Sequence, residues 1–352
     1  MKYQSVPATG YTETNREVLY IDPIFFPFTV ANQVGPRETI ISHCTGDPSV
    51  KPGQNCAAFV SIMAGIWFAL ALLSISEVSS LKICSFNIQS FGERKMEKTE
   101  VVDVILDIIA RCDIMLIMEI KDTSGTAFPQ LMTRLNSRYR SRKAEYNYII
   151  SERLGRKSYK EQYAFIYRQR LVSVQSTYQY PDTQAGDVDA FSREPFVVWF
   201  SSPKTEVKDF VIIPIHTTPD AAVREIDELY DVFQDVDQRW TSENYLIIGD
   251  FNAACGYVPQ REWGNIRLRS NSSFLWLTGD NIDTTVKEST SCAYDRVVLH
   301  GEEMTRGVEP TSLEVFDFRR EYHLTEQQAL LVSDHFPVCI TVNAAQRRGR
   351  GG

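Results

Sequence analysis

Beyond residue 80 the chain alternates short, nearly unbroken apolar runs with stretches of helical periodicity, each bounded by polar or turn-forming residues. The runs Leu81–Phe86, Asp113–Glu119, Tyr146–Ser151, Tyr163–Tyr167, Leu171–Tyr180 and Phe196–Phe200 read as strands. Phe210–His216, Tyr245–Gly249, Tyr294–Leu299 and Pro337–Val342 complete the set. Helices are predicted at Met96–Ala110, with Val101, Val104, Ile105, Ile108 and Ile109 on one face, at Phe128–Leu135 and at Ala221–Gln238. Three strands run into a reactive group, namely Glu119, His216 and Asp250. Open α/β sheets place ligands off such strand ends. With no internal repeat and no linker after residue 80, residues 81–343 are expected to form one domain, followed by a short basic tail over 344–352.

The N-terminal part has a different pattern. Ala57 to Ser76 is a run of 20 uncharged, mostly apolar residues closed by Glu77, a length that could just span a bilayer. Met63 opens a signal-like apolar core, and Val78 and Ser80 occupy positions suited to cleavage before Leu81. The preferred reading is a signal peptide over 63–80, with residues 1–62 an atypical extension or gene-model artefact. An uncleaved anchor and a plain apolar helix are the alternatives. Cleavage implies a secreted or endoplasmic-reticulum protein without stable membrane association, while a nuclear pool stays open.

Composition changes this picture in two places. The net charge of −8 is carried largely by the main domain, which argues against tight non-specific binding of nucleic acid but not against a local basic stripe beside an acidic site. The seven cysteines show no metal-ligand spacing, so zinc is not expected. Cys84, Cys112 and Cys339 fall in apolar stretches and read as buried free thiols.

Seven stretches stand out in order: Ser85-Phe86-Asn87-Ile88, Met118-Glu119-Ile120, Ser158 to Tyr163, Pro214-Ile215-His216-Thr217, Gly249-Asp250-Phe251-Asn252, Tyr294-Asp295-Arg296 and Ser333 to Pro337. Each alone has an ordinary structural explanation. His216 suits a structural strand end, Asp334-His335 a turn, and the Gly-Asp-Phe-Asn stretch a loop tolerant of left-handed backbone. Together they hold the parts that phosphodiester hydrolysis needs. These are an acceptor for a water proton, a donor for the leaving 3′ oxygen, and positive charge at the phosphate. Imidazoles titrate near ~6.5 and can play both proton roles.

In this order the stretches resemble the deoxyribonuclease I family of the endonuclease/exonuclease/phosphatase superfamily, over about residues 81–342. Ser192-Arg193-Glu194-Pro195, Pro219 and Asp317-Phe318 add to the likeness. The resemblance implies an α/β fold, a four-layer sandwich of two packed, largely antiparallel mixed sheets flanked by helices. It pairs Glu161 with His216 and Asp295 with His335, and has Glu119 hold Mg²⁺ or Mn²⁺. Asn87, Asp250, Asn252 and Asp334 would orient water, metal and phosphate. Tyr159, Arg193, Lys121 and Tyr294 would contact double-stranded DNA through its backbone and groove shape, chromatin included.

The resemblance also implies a Cys255–Cys292 disulfide. It implies structural Ca²⁺ at Asp182, Asp189 and Glu194, and a second ion near Asp283 and Thr285, where a solvated acidic loop is the alternative. Asn271 heads an N-glycosylation sequon. Gln89 stands where the family usually has arginine, which predicts a weaker phosphate grip. Actin binding is not expected, because Arg153 follows the relevant strand in place of proline, and a monomer is expected. Two other functions remain in view: a phosphatase or sphingomyelinase-type phosphodiesterase, and a non-catalytic binding module.

Overall fold

A computed structural model describes residues 79–140, 145–183 and 189–346. The expectations for residues 1–62, for nearly all of the leader and for the arginines of the tail lie outside these residues. Among the described residues, no helix is long and apolar enough to cross a membrane.

Strand β1 (Leu81–Phe91) shows why the runs are nearly continuous: both of its faces are buried. Leu81 and Ile83 point to one apolar cluster, and Cys84, Phe86 and Ile88 to another. In the first sheet β1 lies between β12 (Val338–Val342), antiparallel, and β2 (Ile114–Ile120), parallel. Outside these lie β11 (Glu314–Val315), β4 (Gln162–Arg168) and β3 (Tyr146–Ile150), giving the order β11-β12-β1-β2-β4-β3. The second sheet is β5-β6-β7-β8-β10-β9, built from Ser173–Gln179, Phe196–Ser201, Asp209–His216, Tyr245–Asp250, Asp295–His300 and Phe274–Trp276 for β5 to β10. Its one parallel pair is β7 with β8.

Between the sheets lies a core that includes Ile83, Leu116, Met118, Phe165, Phe200, Ile212, Leu246, Ile248 and Val297. Helices cover the outer faces. Helix α1 (Glu93–Met96), α2 (Thr99–Ile109), α3 (Ala127–Tyr139) and, late in the chain, Glu326–Val332 flank the first sheet. Ala222–Arg239, α4, covers the second, burying Ala222, Ile226, Leu229, Val232 and Val236 at helical spacing. The sequence thus folds as the four-layer α/β sandwich that the resemblance implied.

The differences are local. The single helix expected over Met96–Ala110 is two, because Lys98 adopts φ −88°, ψ 87°, outside the helical region. The β9 and β11 strands are too short for periodicity to reveal. The late helix over Glu326–Val332 did carry a signal, the capping box of Thr325 with Gln328. The remaining short helices are α5 (Arg267–Ser270), α6 (Glu302–Gly307) and α7 (Phe318–Glu321), which makes Glu326–Val332 helix α8.

Cys84, Cys112 and Cys339 are buried as expected, but they are not three separate thiols. Cys84 and Cys339 are cross-strand partners in the β1–β12 register. The Cys84 sulfur lies in bonding range of both Cys112 and Cys339. One sulfur takes one disulfide partner, so at least one of the three keeps its thiol. Spacing along the chain hid this cluster, because sheet pairing brings together residues 255 positions apart.

Candidate active site

Each sheet's one parallel pair sends its strand ends to the same cleft. From the first sheet come Asn87 on β1 and Glu119 on β2; from the second come His216 on β7 and Asp250 on β8. Strict alternation would turn Glu119 to the helix-facing side with Met115 and Ile117. Instead Glu119 takes a left-handed backbone (φ 59°), and the β2 ladders shift register around it, a bulge that re-aims the carboxylate. Gly249 serves the opposite pair. Its φ of 146° suits glycine, and a Cβ there would overlap the Ile215 carbonyl oxygen, so the strands bearing His216 and Asp250 can approach closely.

Two imidazoles face each other across this cleft. His216 Nδ1 donates to Glu161 Oε2 at 2.9 Å, and His335 Nδ1 to Asp295 Oδ2 at 2.7 Å. Those bonds fix both tautomers and leave each Nε2 free for chemistry. The Nε2 atoms converge on Asp250 Oδ2, at 3.6 Å from His216 and 3.5 Å from His335. Asn87 Nδ2 donates to that same oxygen and to Glu119 Oε1, both at 3.1 Å. Asn252, at φ 47°, donates its backbone N–H to Asp250 Oδ1 and its amide to the Thr217 carbonyl.

Electrostatics separate the groups. Burial opposes the charge of His335, but the Asp295 and Asp250 carboxylates outweigh it and hold the imidazole well above its ordinary range. Burial also opposes ionisation of Glu119, yet His216, Lys121 and the Asn87 hydrogen bond bring its carboxyl down to about 2.

A family model described as Endonuclease/Exonuclease/phosphatase matches residues 84–335, from the β1 motif to His335. The chain belongs to that family. Deoxyribonuclease gamma of Homo sapiens is 59% identical over 269 residues, 76% of this chain and 88% of that protein. Deoxyribonuclease-1 of Equus caballus is 46% identical over 275 residues, 78% of this chain and 96% of that one. A solved structure of humanized D. rerio TDP2 carrying 14 mutations shares the fold, with a TM-score of 0.51 at 13% identity, covering 75% of this chain and 99% of that one.

For this member of the endonuclease/exonuclease/phosphatase family, donor chemistry tests whether a cation fits. Carboxylates dominate the cleft: Glu119, Glu161, Asp250, Asp295 and Asp334. Among the described residues the buried oxygens Glu161 Oε1, Asp295 Oδ1 and Asp334 Oδ1 have no hydrogen-bond partner. A hard divalent ion suits such a set. Among the described residues the Glu119 oxygens meet Asn87, Ser90 and Lys121, with His216 Nε2 at 3.9 Å. An ion there would keep open positions for water and phosphate, as Mg²⁺ prefers.

Farther out, ligand oxygens of Asp182, Asp189 and Glu194 lie within 4.8 Å of one another. Asp182 Oδ1 is buried without a partner, and burial together with the other two carboxylates raises Glu194. Asp283 and Thr285 are also brought together, but their oxygens bond locally: Asp283 Oδ1 accepts from Thr285 N, Thr285 Oγ1 and Cys292 N. This is the hydrogen-bonding pattern of a turn.

The expected DNA contacts separate into two kinds. Tyr159 is 51% exposed, with the Lys121 ammonium 4.4 Å from its ring centroid. Tyr294 sits beside His335, with ring centroids 6.0 Å apart, and beside Tyr257, with centroids 5.5 Å apart. Arg193 is placed otherwise. It is buried, and its guanidinium donates twice to the His216 carbonyl, at 2.9 and 2.6 Å, which sets it behind the histidine rather than on the open cleft. Tyr163, which sequence reading did not single out, accepts the His216 N–H at 2.9 Å. Cys255 and Cys292 are paired, with Cα atoms 5.9 Å apart, and tie the loop after Asp250 to the segment before Asp295.

Proposed function

We infer that this protein is a deoxyribonuclease: an endonuclease that hydrolyses DNA phosphodiester bonds at the cleft between the two sheets, with divalent-metal assistance and little sequence preference. One observation carries the reading. Two carboxylate-backed imidazoles aim their free Nε2 atoms at a single point, Asp250 Oδ2, from 3.6 and 3.5 Å. That spacing suits a phosphate held between a proton acceptor and a proton donor.

In the proposed reaction a water oxygen attacks phosphorus and the bond to the 3′ oxygen breaks. His216 Nε2 accepts the water proton, and Glu161 holds the resulting imidazolium. His335, whose proton Asp295 and Asp250 retain, donates from Nε2 to the departing 3′ oxygen. Asn87 and Asn252 hold Asp250 in place. Mg²⁺ or Mn²⁺ at Glu119 would supply charge neutralisation at the phosphate. Tyr159 and Lys121 form the exposed ledge for the DNA backbone, and Arg193 positions His216. Backbone and shape contacts of this kind give weak sequence preference.

The finer reading is a secreted monomer, released by cleavage before Leu81, glycosylated at Asn271 and stabilised by Ca²⁺ at Asp182, Asp189 and Glu194. Support comes from the Cys255–Cys292 pairing, which belongs to an oxidising compartment, and from the unpartnered oxygen of Asp182. The deciding assay incubates plasmid DNA and phospholipid in parallel, with and without chelator. Nicking of plasmid alone, abolished by chelator and in both His216→Ala and His335→Ala, is expected. Phospholipid hydrolysis without nicking would overturn the reading.

A further inference from the structure

Lys95 lies on α1, outside every stretch to which a catalytic role was assigned, and only 8% of it is exposed. A buried ammonium is costly unless each of its N–H groups is satisfied. Here all three donors reach main-chain carbonyls: Ile88 O at 2.7 Å, Gln89 O at 2.6 Å and Val332 O at 2.8 Å. Two of these carbonyls belong to the end of β1, and the third to the last residue of α8. Lys95 therefore bridges two parts of the chain that are far apart in sequence.

What it bridges is specific. After Ile88 come Gln89 and Ser90, both left-handed, with φ 49° and 55°. Consecutive left-handed non-glycine residues are strained and persist only where surrounding contacts hold them. Ser90 N, at the end of this bulge, donates to Glu119 Oε2 at 2.9 Å. Beyond Val332 comes Ser333, whose hydroxyl donates to the Asn87 carbonyl at 2.6 Å and accepts from His335 N at 3.0 Å. The two ties run side by side between the Asn87–Glu119 half of the site and the turn that carries His335.

We propose that Lys95, seconded by Ser333, is a positioning residue that sets the distance between the Glu119 side and the His335 side of the catalytic cleft. The charge suits the place: the Val332 carbonyl belongs to the last turn of a helix, where a cation is favoured. Burial draws the ammonium down to about 8, against the pull of Glu119 and Asp334, so it is mostly protonated at neutral pH. The inference rests on the nuclease reading and adds to it a group that touches neither DNA nor any reacting atom.

Lys95→Met keeps the stem and removes the charge. Misplacement of catalytic groups by about 1 Å costs on the order of 100-fold. We therefore expect kcat on plasmid DNA to fall about 10–100-fold, while KM stays within about twofold. In Lys95→Ala, n-propylammonium replaces the missing atoms and is expected to restore kcat several-fold, while 1-propanol, of matching size but uncharged, does not. A Lys95→Met enzyme with wild-type kcat overturns the proposal, and so does equal rescue by amine and alcohol. Should neither Lys95 variant fold, Ser333→Ala decides: a loss of kcat at constant KM supports the positioning role, and unchanged kcat overturns it. If His216→Ala is inactive while Lys95→Met is fully active, only this inference fails and the nuclease reading stands.

Discussion

The two histidines of the cleft are chemically alike but differently built. His216 ends a regular strand, and its backbone is held from both sides. Tyr163 accepts from its N–H, and Arg193 donates to its carbonyl. His335 follows a turn between α8 and β12, and is fixed by the Ser333 hydroxyl and an isolated bridge to Thr285. Its imidazole is held protonated by Asp295 and Asp250, whereas Glu161, which faces His216, is lowered. For Glu161, burial acts against ionisation, and the His216 hydrogen bond and charge win, with Arg193 adding to them. One arm thus keeps an imidazole oriented with its carboxylate ionised, and the other stores a proton.

That contrast can be broken at several points. The largest effect is expected from His216→Ala or His335→Ala, each lowering kcat at least about 1000-fold, with the double variant little worse, because the two act as a unit. Roughly additive losses in a plasmid-nicking assay would show two independent contributions.

Replacing the carboxylates should separate the arms by pH. His335 is raised in the folded protein, so its protonated form, and the stability that its pairing contributes, are present below the ordinary imidazole range and lost as pH rises through the raised value. Asp295→Asn removes the group that raises it. The alkaline limb of the rate profile should therefore move to lower pH, with kcat down about 100-fold. Glu161→Gln should lower kcat without moving that limb downward. An identical shift in both variants would erase the distinction.

A smaller effect is expected behind His216. Arg193→Lys keeps the charge but loses the forked donation to the carbonyl, and should cost about tenfold in kcat with little change in KM for DNA. A change in KM alone would return Arg193 to the role of a phosphate contact. Smallest is Gln89→Arg, which adds one charge at the rim. Affinity for DNA should rise a few-fold and its salt dependence steepen by about one phosphate contact, as measured by filter binding across salt concentrations. An unchanged slope would place residue 89 outside the DNA footprint.

Part of the site was legible because three reactive groups close apolar runs that have to be buried strands, while Asp295, Glu161 and His335 open or precede their strands and were supplied by the resemblance. His216, Asp250 and Glu119 could be read from that rule alone. The register that brings Asp295 opposite Asp250 across the β10–β8 ladder was not legible. Nor was the left-handed turn that swings Glu119 into the cleft, since nothing in Met118-Glu119-Ile120 announces a bulge. Arg193 was expected, from the resemblance, to contact the DNA backbone; its burial depends on the His216 carbonyl, which only the tertiary fold supplies. Cys84, Cys112 and Cys339 failed as separate thiols for a similar reason: pairing along a sheet is a property of topology, not of spacing. Lys95 drew no expectation from the sequence, because the carbonyls that receive it come from segments far apart in the chain.

The pairing of parallel strands in the middle of each sheet has a consequence for how the molecule yields to heat. Asn87, Glu119, His216 and Asp250 follow strand segments whose amide hydrogens are shared between central strands. Such amides exchange with solvent only when the whole domain opens. Tyr159 lies instead on an exposed connection between β3 and β4, where small local openings suffice. In hydrogen–deuterium exchange the strand residues that lead to the reactive groups should therefore be among the last to label and the tyrosine ledge among the first. On warming, KM for DNA should rise several degrees below the temperature at which kcat collapses.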